Sequence, residues 1–382
     1  GACASFLSWK QLHLLILFEC ANHPCCVQGL ASSLQSNRAS IISSQDFLLQ
    51  GQRARLYRRR GQELQQQRQQ QRQREDEYNN DPSSFMVLIP GMAQSIQTWD
   101  AQATALLLAS DPSTTALICC EPLGLGRPSP DNDDHDDMHN NVTLPRQAEQ
   151  LRQTLLFIVA ETWGCDDDDD DDGDHVVDQC RFDLVGFSLG GRIAMAFACL
   201  YPTQVRTLHL TGVAWDRSAR GKMNVAAWKD ILSRGDSAAN EKSTLQAFAW
   251  LAILSTYSPS FLLKQRDKIP IWVDVVASGH SVKGLSSLME QTHPSEHGDD
   301  DDGNAWTVPK MAHRIQLVPG GAIHLVAGEM DEMVALDQVH KLAKGLHCET
   351  SILPTAAHAV PFEAARAWRA TVLRHLDQKR GQ

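Results

Sequence analysis

Phe182-Asp183-Leu184-Val185-Gly186-Phe187-Ser188-Leu189-Gly190-Gly191-Arg192 is the stretch whose reading decides the fold. An apolar run enters Gly-x-Ser-x-Gly and leaves into Ile193 to Leu200, which reads as an apolar, alanine-rich helix. A strand that turns sharply into a helix at a serine forces that serine into a strained backbone conformation and lifts its hydroxyl clear of the sheet. Side chains two residues before and two after the serine would collide with the turn, which explains Gly186 and Gly190. The helix that follows aims its first N–H groups and its dipole at any anion formed beside Ser188. A chance Gly-x-Ser-x-Gly in a loop is the bland alternative, and it leaves the flanking strand and helix unexplained.

Outward from the serine, apolar runs alternate with helical patterns. Phe85 to Ile89 reads as a buried strand ending in Pro90-Gly91-Met92, and Thr115 to Cys120 as another ending in Glu121-Pro122-Leu123-Gly124. Ala101 to Ala109 lies between them as a helix. From Pro145, the spacing of Ala148, Leu151, Leu155, Ile158 and Thr162 places one buried stripe on a helix. Val205 to Leu210 is the next strand. Ile323 to Gly328 and Thr350 to Leu353 follow after a long interval, with helices near Val334 to Leu346 and Glu363 to Leu376. Alternation of this kind predicts an α/β fold, a mostly parallel sheet covered by helices on both faces. The interval from about 215 to 312 reads as an inserted helical lid, with pieces at Val225 to Leu232, Thr244 to Ser255 and Val282 to Glu290. Ile271 to Val276 fits either a helix or an extended segment, and His280 and His293 read as surface or packing histidines.

Composition narrows the function classes. The chain has 382 residues, a hydrophobic content of 42% and a net charge of -11, enough apolar material for a large core and no basicity that would point to nucleic acid. Much of the acid sits in aspartate runs. The segment Asp168-x-Asp170-x-Asp172-Gly173 mimics the start of a calcium loop, but Gln179 stands where a bidentate glutamate is needed. Asp131 to Asn141, with His135 and His139, reads as a solvated loop rather than a metal site, because nothing rigid holds the ligands, so no metal ligand is assigned. Ten cysteines without a CxxC pair favour reduced, buried thiols and an intracellular setting.

Residues 1 to 80 read as a low-complexity or targeting segment outside the fold, and the folded domain as spanning 81 to 382. Phe6 to Phe18 is apolar but too short to span a bilayer comfortably, and Arg53 to Arg60 precede a glutamine tract from Gln62 to Gln73. That balance suits an organellar transit segment, or a signal anchor giving peripheral or organellar membrane association, with a cytoplasmic low-complexity tail as the alternative.

The region from Phe85 to Leu376 resembles the α/β-hydrolase fold family, in its single-domain serine-hydrolase branch. The resemblance rests on the elbow, the turn after the first core strand and the chain order Ser188, Asp331, His358. Gly328-Glu329-Met330-Asp331 looks like the family's acid loop and Ala357-His358-Ala359-Val360-Pro361 like its histidine loop, with Ala357 in place of the usual glycine. Pro90-Gly91 stands where His-Gly is common and Glu121 where an aspartate is common. The resemblance implies a nucleophilic Ser188, a base His358 and an orienting Asp331, with Glu329 and Asp216 as runner-up acids. The backbone N–H groups of Leu189 and Met92 are the candidate oxyanion donors. Phe187, Arg192, Phe248 and Trp250 are candidate substrate contacts, the last two because Leu245 to Leu254 is apolar on too many sides for a surface helix.

A Rossmann fingerprint and a phosphate-binding loop are both missing from the sequence, so no cofactor is expected and the partner is a small-molecule substrate. Three functions fit: a hydrolase of apolar acyl esters or thioesters, a lyase or carbon–carbon hydrolase, and a non-enzymatic receptor of the same fold. The lyase reading rests on Ser188-Leu189-Gly190-Gly191-Arg192, which is similar to the elbow of the menaquinone-pathway cyclohexadiene carboxylate synthases, where an arginine in this place helps bind anionic substrate. Phe187 stands where those enzymes usually have tyrosine.

Overall fold

A computed structural model describes residues 42–59, 85–110, 116–125, 141–163, 180–235, 240–292, 306–317 and 321–380. The aspartate runs, the His135/His139 loop, His293, the glutamine tract and the apolar segment near the start of the chain lie outside the described residues.

The centre of the sheet is made from strands with almost no polar positions. β3 (Phe85–Ile89), β4 (Ala116–Cys120) and β5 (Phe182–Phe187) are buried along their whole length. Such runs form parallel strands covered on both faces, as the sequence predicts. Before them come β1 (Ile42–Leu49) and β2 (Gln52–Arg59), and after them β6 (Val205–Thr211), β7 (Ala322–Gly328) and β8 (Glu349–Leu353). The sheet order is β1-β2-β4-β3-β5-β6-β7-β8. β1 and β2 run antiparallel, β2 is antiparallel to β4, and every other pair is parallel.

One face of the sheet is covered by α2 (Leu144–Trp163) and α3 (Leu189–Leu200), which bury Leu151, Leu155, Ile193 and Phe197 against Val87, Leu184 and Leu208. α1 (Ile96–Ala109) and α12 (Ala365–Arg380) cover the other, where Trp99 and Trp368 pack against Leu88, Val185 and Val326. Between β6 and β7 the chain leaves the sheet as α4 (Ala219–Ser233), α5 (Glu241–Thr256), α6 (Pro259–Gln265), α7 (Ile269–Gly279), α8 (Val282–Thr292) and α9 (Val308–Arg314). The ambiguous segment Ile271 to Val276 lies inside α7, and His280 is buried. α10 (Leu336–Gly345) follows β7, and the one-turn α11 (Val360–Glu363) precedes α12.

The expectation that residues 1 to 80 stand outside the fold is corrected over 42–59, because β1 and β2 extend the sheet beside β4. On β2, Ala54, Leu56 and Tyr57 are all buried, while the arginines among them find partners. Arg55 Nη1 lies 2.8 Å from Asp100 Oδ1 on α1, and Arg53 Nη2 lies 2.9 Å from the buried carboxylate of Glu121. Burial pushes the Glu121 carboxyl up and Arg53 pulls it back, and its Oε1 also accepts the Ile96 N–H at 2.7 Å. The arginine density that suggests a tail in the sequence is that of a charged strand near a sheet edge, where charge blocks further pairing.

Candidate active site

Ser188 stands between β5 and α3 at φ 52° and ψ -113°. A positive φ of this kind is strained for a non-glycine residue. A Cβ at Gly190 would strike the carbonyl oxygens of Ile89 and Pro90, and one at Gly186 would strike the backbone of Gly190 and Gly191. The turn itself therefore requires Gly186, as inferred from the sequence, whereas Gly190 is required by the end of the neighbouring strand β3 rather than by the turn. Ser188 N–H donates to Thr211 O at 2.8 Å, which fastens the turn to the neighbouring strand.

The loops after β7 and β8 bring two more residues to the serine. His358 Nε2 lies 3.0 Å from Ser188 Oγ. His358 Nδ1 lies 2.8 Å from Asp331 Oδ2. Asp331 Oδ1 accepts the N–H groups of Met333 at 2.8 Å and Val334 at 3.0 Å, so the carboxylate is held from its far side and cannot rotate freely. Asp331 and His358 are both buried. The runner-up acids have other partners: Asp216 Oδ2 pairs with Lys222 at 2.9 Å, and Glu329 Oε2 accepts the Thr355 N–H at 3.3 Å.

Leu189 opens α3, so its N–H belongs to the turn that has no partner within the helix. Met92 follows β3 and lines the same cleft as Ser188, Leu189 and His358. Phe187 and Phe248 also line the cleft, Phe187 packing against the His358 ring at a centroid distance of 5.4 Å. Trp250 does not line it. Two residues along a helix turn the side chain by about 200°, so Trp250 faces outward from α5 and is 40% exposed. The α5 surface in the cleft is instead Phe248, Ala249, Ala252 and Ile253.

Arg192 lies one turn into α3 and lines the cleft. Its Nε and Nη1 are buried without a hydrogen-bond partner among the described residues. Burial, with a smaller contribution from Arg217, lowers its pKa to about 9. A buried cation without a partner is unfavourable, so this guanidinium has free capacity for an anion.

Glu363, which the sequence does not single out, holds the histidine loop. Its Oε1 accepts the Ala357 N–H at 3.1 Å and its Oε2 accepts the Ser258 N–H at 3.2 Å, linking α11 to the start of α6. Burial pushes this carboxyl up, the Ser258 and Ala357 hydrogen bonds pull it back, and the nearby Asp331 adds a smaller upward push. Ala359 N–H donates to Thr256 O at 3.0 Å, so the end of α5 is tied to the same loop. In the sequence Glu363 reads as an ordinary residue opening the terminal helix, and only the fold carries Ser258 to it.

The model of the alpha/beta hydrolase family matches residues 86–371. A curated relative, pyrrolizixenacetamide deacetylase of Xenorhabdus hominickii, is 33% identical over 111 residues, which are 28% of this chain and 38% of that protein. Solved structures with similar folds include the enol-lactonase from Burkholderia xenovorans LB400, at 16% identity and a TM-score of 0.56, covering 87% of this chain and 100% of that one. Another is MGS-M2, an alpha/beta hydrolase enzyme from a Medee basin deep-sea metagenome library, at 18% identity and a TM-score of 0.55, covering 88% and 98%. At such identities these two speak for the fold alone.

Proposed function

The chain belongs to the alpha/beta hydrolase family, and from that premise we propose that it is a serine hydrolase that cleaves an acyl ester or thioester through an acyl-enzyme on Ser188. The observation that carries this reading is the line of hydrogen bonds from Ser188 Oγ through His358 to Asp331, at 3.0 and 2.8 Å. A serine hydroxyl is a poor nucleophile until a base takes its proton, and His358 Nε2 is within reach to do so. As Oγ attacks the acyl carbonyl, the proton moves to His358, and Asp331 stabilises the imidazolium. The oxyanion is received by the Leu189 and Met92 N–H groups. Collapse breaks the bond to the leaving alcohol or thiol, which takes the proton from His358. Water then attacks the acyl-enzyme by the same steps in reverse roles, releasing the acid. The helices over the cleft act as a lid, and the apolar α5 residues there favour a small to medium apolar acyl group. The deacetylase relative fits acyl removal as the reaction class.

Arg192 favours a second reading, in which the substrate carries a carboxylate and the reaction is an elimination or a carbon–carbon hydrolysis. One experiment addresses both. Acyl esters from acetyl to octanoyl, each with and without a terminal carboxylate, are compared by kcat/KM with product analysis. Rising values along the neutral series support the first reading, as each buried methylene contributes about 0.8 kcal/mol. Exclusive turnover of carboxylates, lost in Arg192→Met, supports the second.

A further inference from the structure

Away from the cleft, three histidines meet under the C-terminal helix. His209 lies on β6, His324 on β7 and His375 on α12. His209 and His324 are register partners on adjacent parallel strands, so both point to the face that α12 covers. His375 lies two turns after Trp368, whose Nε1 donates to Thr211 Oγ1 at 2.9 Å, so the same face of α12 meets β6 twice. His209, His324 and His375 are 0%, 6% and 8% exposed. One nitrogen from each lies within 4.8 Å of the others.

We propose that His209, His324 and His375 form a binding site for a borderline divalent transition-metal ion, with zinc as the type, which clamps α12 to β6 and β7.

The geometry suits such an ion. With metal–nitrogen bonds near ~2.05 Å and tetrahedral angles, three coordinated imidazoles have ring centroids about 5 Å apart. Here the separations are 4.4, 4.8 and 5.7 Å. Small rotations equalise them. Hydrogen bonding alone leaves the cluster incomplete: His324 Nδ1 is buried without a partner among the described residues. Buried polar atoms are almost always paired, so an open imidazole nitrogen inside a histidine cluster points to a missing group. His324 Nε2 lies 3.0 Å from Ser351 Oγ. Donation of that N–H to the hydroxyl leaves the Nδ1 lone pair free and fixes the ring, which is the usual outer support of a metal-bound imidazole.

His375 Nδ1 and His209 Nε2, 2.8 Å apart, share one proton. To ligate through both atoms, the ring holding that proton shifts to its other tautomer, with no net proton release. Three nitrogens and a water would complete four-coordination. Imidazole ligands select zinc, cobalt, nickel or copper over calcium and magnesium, which need oxygen. The site stands toward the N-terminal part of β7, whereas Ser188, Asp331 and His358 stand at the C-terminal ends of their strands. The ion is therefore structural.

The test uses the full chain without an affinity tag, carrying His135→Gln and His139→Gln so that the acidic loop offers no imidazole. After chelation and dialysis it is titrated with zinc and, separately, with cobalt. The expected result is one equivalent of zinc bound, a melting temperature raised by several degrees by zinc but not by magnesium, and cobalt visible bands of four-coordinate intensity without a thiolate charge-transfer band. His324→Gln and His375→Gln should each weaken zinc binding at least tenfold. Absence of bound zinc or of the cobalt bands, or zinc binding unchanged in either glutamine variant, overturns the site. Should a glutamine variant fail to fold, the cobalt spectrum of the parent chain decides by itself.

Discussion

Replacing Leu56 by alanine tests whether the β1–β2 hairpin is part of the folded body. Leu56 is 0% exposed and packs in the core on the α2/α3 face of the sheet. Leu56→Ala removes three carbons from a closed environment. Transfer of those carbons accounts for about 2.4 kcal/mol, at about 0.8 per methylene, and a residual cavity adds to it. A loss of about 3 kcal/mol is therefore expected, inside the usual range of about 2–5 kcal/mol for this change. For a domain of this size a kilocalorie moves the melting temperature by roughly 2 °C, so the shift is roughly 6 °C downward. Leu48, on the same hairpin, is 68% exposed, and Leu48→Ala should stay within about 0.5 kcal/mol of the parent. Differential scanning fluorimetry of the two variants beside the parent chain reads the difference. A Leu56→Ala protein that melts within a degree of the parent, together with a chain starting at Phe85 of undiminished stability, would refute the placement of the hairpin in the sheet.

Three further outcomes follow from the site. His358→Ala and Asp331→Asn should each lower turnover by roughly a thousandfold or more, while Glu329→Gln and Asp216→Asn leave it within a few-fold; steady-state kinetics on the best ester substrate decides, and a crippling loss at Glu329 or Asp216 would move the acid elsewhere. Arg192→Met should raise the melting temperature of ligand-free protein, because it removes a buried charge with unsatisfied donors, and should abolish any preference for carboxylate substrates; a lower melting temperature would mean that Arg192 already has its counter-charge. Gly190→Ala should prevent folding or remove activity, since its Cβ would strike backbone oxygens of Ile89 and Pro90 that cannot rotate away; a stable, active Gly190→Ala protein, by circular dichroism and turnover, would refute the elbow geometry.

The sequence is legible where one physical cause dominates. β3, β4 and β5 are apolar at almost every position because both faces are covered, and no tertiary knowledge is needed to see them. Gly186 is required by the sterics of the turn itself, which act over a short span of chain, whereas Gly190 is required by the close approach of the end of β3. The hairpin is not legible because its arginines are satisfied from afar, Arg55 by Asp100 and Arg53 by Glu121. Trp250 misleads because an all-round apolar helix does not say which side faces the cleft. The histidine cluster is hidden for a related reason. His209, His324 and His375 sit singly within their elements, and only the adjacency of β6 and β7 under α12 brings them together.

The measurement that tests the proposed mechanism most directly is the site of covalent labelling. Full-length protein treated with a fluorophosphonate probe, then digested and mapped by mass spectrometry, should carry one adduct, on Ser188, and Ser188→Ala should show neither adduct nor turnover. Labelling should also fall sharply in His358→Ala, because the base that activates the hydroxyl is gone. An unlabelled Ser188 in protein that still turns over esters, or undiminished labelling and turnover in Ser188→Ala, would contradict the proposal that this serine is the nucleophile.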